Sequence, residues 1–178
     1  MELENLRKEI KNKRLNLTKT EVENYSNLIK NNLFSLDFLA KKTNFFIYNS
    51  IKNEVDTSEI ISFLKAQNKV ISYPVIIGEN MLSAVPKTDE FERKNFGVLE
   101  PKNYLETTHV EVAIIPLLLC DKNKNRVGYG KGFYDRYLQG KNVIKIGLAY
   151  DFQIVNDLHP NPWDVPLDYI ITPTKIIN

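Results

Sequence analysis

NFFIYNSIKNEVDTSEIISFLKAQNKVISYPV, residues 44–75, changes its periodicity twice within one short span. Its opening, NFFIYN at residues 44–49, is continuously aromatic and β-branched, short enough and apolar enough to be a strand buried on both faces. Asp56 or Thr57 then caps a helix that reaches Gln67 and turns Ile60, Ile61 and Leu64 inward. Residues 69–75 supply the next strand. A strand, a helix and a strand of these lengths form a parallel unit with a right-handed crossover. The span predicts an α/β fold with a mainly parallel central sheet flanked by helices.

Toward the amino terminus the pattern is helical. Leu3, Leu6, Ile10 and Leu17 fall on one stripe, so the first segment is an amphipathic helix that docks on the body of the chain. Thr18 and Glu21 form a capping box for a second helix from about residue 20, with Val22, Tyr25, Leu28, Ile29 and Leu33 inward and residues 34–39 as an apolar connector. Toward the carboxyl terminus, residues 82–85 read as a strand. The polar run at 87–109 shows no sustained period and reads as a long loop, a feature often functional in compact domains. Residues 111–121 read as one central strand, 122–125 as a polar turn, 128–132 as a glycine loop and 133–139 as the start of a helix. Residues 143–150 are the next strand, and a Pro-rich loop, HPNPWDVP, leads to a last strand at 168–172. No repeat or low-complexity linker divides the chain, so residues 1–178 read as a single domain in which helices at 1–40 pack on an α/β core at 44–178.

Composition narrows the function. The chain has 178 residues, 43% of them hydrophobic and 26% charged, enough to bury a sizeable core. Lys and Arg total 24 against 22 Asp and Glu, and a formal charge of +2 is too small for a dedicated nucleic-acid binder. A lone cysteine, Cys120, excludes an intramolecular disulfide and a cysteine metal cluster and suits a reducing compartment, where it reads as buried and inert. His109 and His159 are too few for a zinc site of the usual kind and read as surface and loop residues. The amino-terminal MELENLRKEIKNKR lacks the apolar core of a secretory signal. The longest apolar stretch, 112–120, is broken by Pro116 and falls short of the ~20 residues that span a bilayer. These features lead us to expect a cytoplasmic monomer that works on small molecules, with neither nucleic acid nor membrane as partner.

The sharpest local signal is RVGYGKGFYDRYL at residues 126–138, where Gly128, Gly130 and Gly132 alternate with Tyr129 and Lys131 between a strand and a helix. Such a loop lets backbone N–H groups crowd around a phosphate, and Lys131 and Arg126 add full positive charge. The spacing matches neither the Walker pattern nor the dinucleotide fingerprint, and a glycine-rich turn without ligand is the alternative reading. Asp135, within the first helical turn, either favours the helix dipole or recruits Mg²⁺ beside the phosphate, and Arg136 reads as a surface charge. On the first helix Arg7, Lys11 and Arg14 share a face bordering Leu3 and Ile10; they form either a solvated basic face or the anion-contacting rim of the docking groove.

Four separated pieces in a fixed order, LRKEIKNKR (6–14), IKNEVDT (51–57), RVGYGKGFYDRYL (126–138) and the closing GLAYDFQ (147–153) with PWDVPLDYIIT (162–172), resemble the 5-formyltetrahydrofolate cyclo-ligase family, also called methenyltetrahydrofolate synthetases. The resemblance implies an enzyme that uses MgATP to close 5-formyltetrahydrofolate to its 5,10-methenyl form. It implies that Arg7 contacts both ATP and folate, and that Arg126, Val127, Gly128, Tyr129, Gly130, Lys131, Gly132, Phe133 and Tyr134 wrap the ATP phosphates. Lys131, Arg126 and Arg7 would carry the catalysis, and Asp135 and Asp164 would hold Mg²⁺. Glu54 would bind the folate, since a carboxylate accepts two hydrogen bonds from an aminopyrimidine edge. Asn49, the loop residues from Tyr129 to Phe133, and Phe96 would also face the folate. The family places a lysine four residues before the first-helix arginine; here Leu3 stands there, so that ATP contact is missing or is replaced by Lys8 or Lys11. Plainer readings of the same residues put Glu54 at a helix start, Asp164 and Asp168 in turn caps, and Trp163 in packing. Other functional readings are a sugar-phosphate or acyl-carrier enzyme of a related α/β fold, and a small RNA-binding module.

Overall fold

A computed structural model describes residues 2–94 and 97–178, Glu2 by its backbone alone; Phe96, expected near the folate, lies outside the described residues. Helix α1 (Glu2–Leu15) is followed by α2 (Lys19–Phe34), whose start is fixed as expected: the Thr18 side chain accepts from Glu21 N, and the Glu21 carboxylate accepts from Thr18 N at 2.8 Å. Strand β1 (Asn44–Ile47), α3 (Ser58–Ala66) and β2 (Val70–Ile77) form the predicted unit, with β1 and β2 parallel and Phe45 opposite Ile71. At the start of α3 the two candidate caps divide the work. The Thr57 hydroxyl donates to Tyr48 O, and the Asp56 carboxylate accepts from Ser58 N.

From β2 the chain turns back through β3 (Asn80–Pro86), β4 (Phe91–Arg93), β5 (Leu99–Pro101) and β6 (Tyr104–Thr107). It then runs through β7 (Val112–Pro116), β8 (Leu119–Asp121), β9 (Arg126–Val127) and α4 (Phe133–Leu138). Strands β10 (Ile144–Leu148), β11 (Ile154–Val155), β12 (Tyr169–Ile171) and β13 (Ile176–Ile177) complete it. The large sheet has the order β13-β12-β10-β7-β1-β2-β3-β6 and is parallel from β12 to β2, with antiparallel strands at both edges. The period of two along β1 decides what each face packs against. Phe45 and Ile47 join Ile29 and Leu33 of α2 and Ile60 and Leu64 of α3, whereas Phe46 joins Leu138 of α4 on the other face and stacks on Tyr137.

Several expectations are corrected. Residues 87–109 hold three short strands: β4 and β5 form a hairpin, and β6 pairs with β3. Strands of three or four residues are too short to display alternation. Residues 111–121 are two strands in different sheets, because Pro116 has no N–H for a ladder and Leu117–Leu118 carries the chain into a small sheet of order β11-β8-β9. Leu28, expected inward, is exposed, and α1 ends before Leu17, which packs against the main core from the following turn. Asp168 does not cap a turn; it clamps β10 by accepting from Lys145 N at 2.7 Å and Lys145 Nζ at 2.8 Å. Among the described residues no helix is long and apolar enough to cross a membrane.

Candidate functional site

Strand β1 is flanked by β2 on one side and β7 on the other, so the chain connections diverge there and leave a crevice beyond the carboxyl ends of the strands. A cleft of ≈ 660 Å³ occupies it, within the roughly 300–1,000 Å³ typical of small-molecule sites. Tyr48 and Asn49 after β1, Ile76 of β2 and Pro116 of β7 line its base, and α1 supplies one wall through Leu3, Arg7, Lys11 and Arg14. The glycine loop from Gly128 to Gly132 faces them, with Asp135 and Asp164 beside it. Every residue predicted for the site therefore meets in one cavity, apart from Phe96, which is not described. Of the two candidate replacements for the family's lysine, Lys8 is exposed and lies outside the lining, whereas Lys11 is in it.

At the glycine-loop end, the β8–β9 hairpin buries Arg126, whose Nη2 donates to Asp135 Oδ1 at 2.7 Å. Burial pulls the Arg126 pKa down, and the charges of Asp135, Tyr134 and Asp164 oppose that. Arg126 Nε is buried without a hydrogen-bond partner among the described residues, as is Arg7 Nε. Lys131 stands exposed at the tip of the loop. Gly132 sits at the N-cap of α4 with φ +65°, a left-handed conformation in which a side chain is strained. Helix α4 has only six residues, so the loop amides and side chains outweigh its dipole in attracting an anion.

Asp135 Oδ1 also accepts from Val165 N at 3.2 Å, which draws the residue after Asp164 to the same place. Asp164 does cap a turn, its Oδ2 accepting from Asn161 N at 2.7 Å. The described residues contain no group of three or more His, Cys, Asp or Glu side chains able to hold a metal alone. Two carboxylates beside a glycine loop are a donor set that suits a hard divalent cation sharing its remaining positions with a ligand and water.

The other end of the cleft is a buried polar floor. Glu54 is 6% exposed; Ile51 N donates to its Oε2 at 3.0 Å, and the Tyr129 hydroxyl donates to Oε1 in a short hydrogen bond. Burial raises the Glu54 pKa, and the bonds from Tyr129 and Ile51 with the charge of Arg14 hold it back. This carboxylate therefore does not serve the start of α3. Arg14 Nη1 donates to the Tyr129 oxygen at 2.5 Å and lies 3.8 Å from Glu54 Oε1. Helical spacing offers Arg14 either to a solvated basic face or to the rim of the cleft, but it is 1% exposed. Its position four residues after Ile10 is the sign that it lies on the buried stripe. Asn53, at φ +56°, donates to the carbonyls of Arg14, Leu15 and Leu17 and so ties the end of α1 to the loop that carries Glu54.

The third wall comes from the segment that reads as a loop. Asn49 Nδ2 donates to Leu99 O at 2.9 Å, which fastens the β4–β5 hairpin over the end of β1. Glu100 of that hairpin is buried against the cleft, and its carboxylate accepts from Ile76 N at 3.2 Å. Nothing in its sequence neighbourhood distinguishes it from a surface glutamate. Trp163, expected to pack, is 63% exposed at the cleft mouth beside His159. Arg136 is more than a surface charge: its Nη2 donates to Glu79 O at 2.6 Å and joins α4 to the β2–β3 turn. Cys120 is fully buried, and burial pushes its thiol up to about 12.

The profile of the 5-formyltetrahydrofolate cyclo-ligase family matches residues 2–173. The 5-formyltetrahydrofolate cyclo-ligase of Haemophilus influenzae is 34% identical over 174 residues, covering 91% of this chain and 92% of that protein. The cyclo-ligase of Mycoplasma pneumoniae is 33% identical over 172 residues, covering 93% and 95%. Among solved structures, the 5,10-methenyltetrahydrofolate synthetase of Aquifex aeolicus superposes with a TM-score of 0.87 at 29% identity, covering 99% of this chain and 92% of that one. The synthetase of Mycoplasma pneumoniae gives 0.80 at 32% identity, covering 97% and 99%. With the family's motifs gathered into one cleft and the match running nearly end to end, this chain belongs to the 5-formyltetrahydrofolate cyclo-ligase family.

Proposed function

We propose that the chain catalyses the ATP- and Mg²⁺-dependent cyclisation of 5-formyltetrahydrofolate to 5,10-methenyltetrahydrofolate, with release of ADP and phosphate. One observation supports this most. A single cleft joins a cationic glycine loop at one end to a buried carboxylate at the other, as a reaction between a nucleotide phosphate and an aminopyrimidine-bearing substrate requires. Arg7, Arg126 and the loop from Val127 to Tyr134 bind the ATP phosphates, and Glu54, Asn49 and the ring of Tyr129 bind the folate.

The formyl oxygen attacks the γ-phosphorus, the bond to the ADP oxygen breaks, and the substrate becomes a phosphate ester on an N5-iminium carbon. N10 then adds to that carbon and loses its proton to solvent, and cleavage of the carbon–oxygen bond with departure of phosphate leaves the 5,10-methenyl ring. The chain's work is positioning and charge stabilisation. Lys131 at the loop tip meets the charge that develops on the transferring phosphoryl group, while Arg126, held by Asp135, keeps a fixed cation behind the loop. Asp135 and Asp164 would hold Mg²⁺, which when bound neutralises charge on the phosphate oxygens. No covalent bond to the protein is needed.

The test follows methenyl-folate absorbance after mixing purified protein with 5-formyltetrahydrofolate and MgATP. Product should require ATP and Mg²⁺ and should fall in Lys131→Ala and Asp135→Ala. Folded wild type that forms no product would refute the assignment.

A further inference from the structure

We propose that Arg14 is a positioning residue for this reaction, acting through the Tyr129 hydroxyl to keep Glu54 in its ionised, acceptor-only form. The proposal rests on the reading of Glu54 as the folate-binding carboxylate. An arginine carries donors only and does not lose its proton, so the 2.5 Å contact of Arg14 Nη1 with the Tyr129 oxygen has one direction. Tyr129 has a single proton left to give, and it gives it to Glu54 Oε1. The other carboxylate oxygen already accepts from Ile51 N at 3.0 Å. An ionised Glu54 accepts from both sides and retains lone pairs for the pterin N–H groups, whereas a proton on Glu54 would occupy one of those remaining sites and turn it into a donor facing the pterin donors.

The burial of Arg14 argues that this arrangement is functional. Its Nε and Nη2 are buried without a hydrogen-bond partner among the described residues, and its nearest counter-charge, Glu54, is 3.8 Å away. A guanidinium buried with so few partners costs stability, and an apolar side chain on the same stripe as Ile10 would pack without that cost. The groups facing Glu54 come from every side: Arg14 on α1, Lys52 in its own loop, Tyr48 after β1, Tyr129 in the glycine loop, Tyr134 on α4 and Tyr150 after β10. Four of the six are neutral tyrosines and Lys52 is exposed, which leaves Arg14 as the buried cation opposing the desolvation of Glu54.

The experiment is calorimetric binding of 5-formyltetrahydrofolate to the full chain from about pH 6 to about pH 9, with wild type, Arg14→Met, Tyr129→Phe and Glu54→Gln. Without Arg14, Glu54 protonates at higher pH. Arg14→Met should bind more weakly at the low-pH end, by at most about tenfold, and recover toward wild type as the pH rises, its profile displaced upward by about one pH unit. Tyr129→Phe changes volume little and removes both the hydroxyl bond to Glu54 and the link to Arg14, so it should show the same recovery from a loss at least as large; it decides the matter if Arg14→Met does not fold. Wild-type affinity in these variants, or a loss equal at every pH, would assign Arg14 to packing and overturn the proposal. Glu54→Gln should be weak throughout; wild-type binding by that variant would instead overturn the folate-binding reading beneath it.

Discussion

Two glutamates flank the pairing of β1 with β7, Glu111 just before β7 and Glu54 in the loop that follows β1, and they are held in opposite ways. At the amino ends, Glu111 Oε2 accepts from Thr43 N at 2.8 Å, Thr43 Oγ1 at 2.8 Å and Asn44 N at 3.1 Å. Those donors hold its pKa down at about 2, although its side chain remains 26% exposed. At the carboxyl ends Glu54 is far more buried, and loss of water moves its pKa upward. The number of donors aimed at each carboxylate, set against the water removed, decides the sign. The amino-end carboxylate stabilises its own sheet. The carboxyl-end one is buried at a cost to the fold, and under the proposed function its remaining lone pairs are those the folate would fill.

By that division, substitutions at the carboxyl ends should change turnover and leave stability nearly alone. The largest effect is expected for Lys131→Ala: kcat lower by about 10²–10³-fold, the range seen when one electrostatic stabiliser of a transition state is removed. Its exposed side chain makes no hydrogen bond among the described residues, so thermal unfolding should shift by no more than about 1 °C. A smaller effect is expected for Gly132→Ala. The added Cβ would lie 2.8 Å from Arg136 Nη1, the movable end of a long side chain, so the cost comes chiefly from φ +65°. A left-handed alanine costs about 1–2 kcal/mol; a loop that relaxes out of that conformation when free and is restored to it on binding should show a KM for ATP raised about 5–30-fold. The KM for 5-formyltetrahydrofolate should hardly move. An equal rise in both would mean that the loop serves the two substrates as one unit.

What the sequence discloses follows the same division between the two ends of the sheet. Residues 44–75 were legible because continuous apolar strands around an amphipathic helix have few other foldings, and β1, α3 and β2 lie where they were expected within a few residues. The glycine loop was legible because positive φ at Gly130 and Gly132 leaves a compositional mark. Arg14 was misread because an arginine beside Arg7 and Lys11 looks the same whether solvated or buried, and only contact with Tyr129 and Glu54 distinguishes the cases. Glu100 and the hairpin carrying it were missed because strands as short as β4 and β5 have no period, and their place over β1 depends on a long-range bond from Asn49 to Leu99 O. Local pattern carries what is set by the backbone, and it fails where distant segments decide a side chain's surroundings.

The amino-end glutamate offers the sharpest control, with the smallest expected effect on turnover. Glu111→Gln preserves shape but removes the charge from three hydrogen bonds that join the start of β1 to the start of β7. A folded pKa of about 2 lies below the unfolded value of ~4.3, so the stability that Glu111 contributes is complete above the unfolded value and is lost as the pH falls through about 2. At neutral pH the variant should therefore be less stable by about 1–2 kcal/mol, the scale of a weakened hydrogen bond to a charged group. Denaturant titrations at a series of pH values should show the gap to wild type closing between about pH 4 and about pH 2. Turnover at neutral pH should stay within about twofold of wild type, because Glu111 lies at the opposite ends of the strands from the cleft. A gap that persisted undiminished at low pH would mean that Glu111 works by packing rather than charge, and the contrast between the two ends would then rest on Glu54 alone.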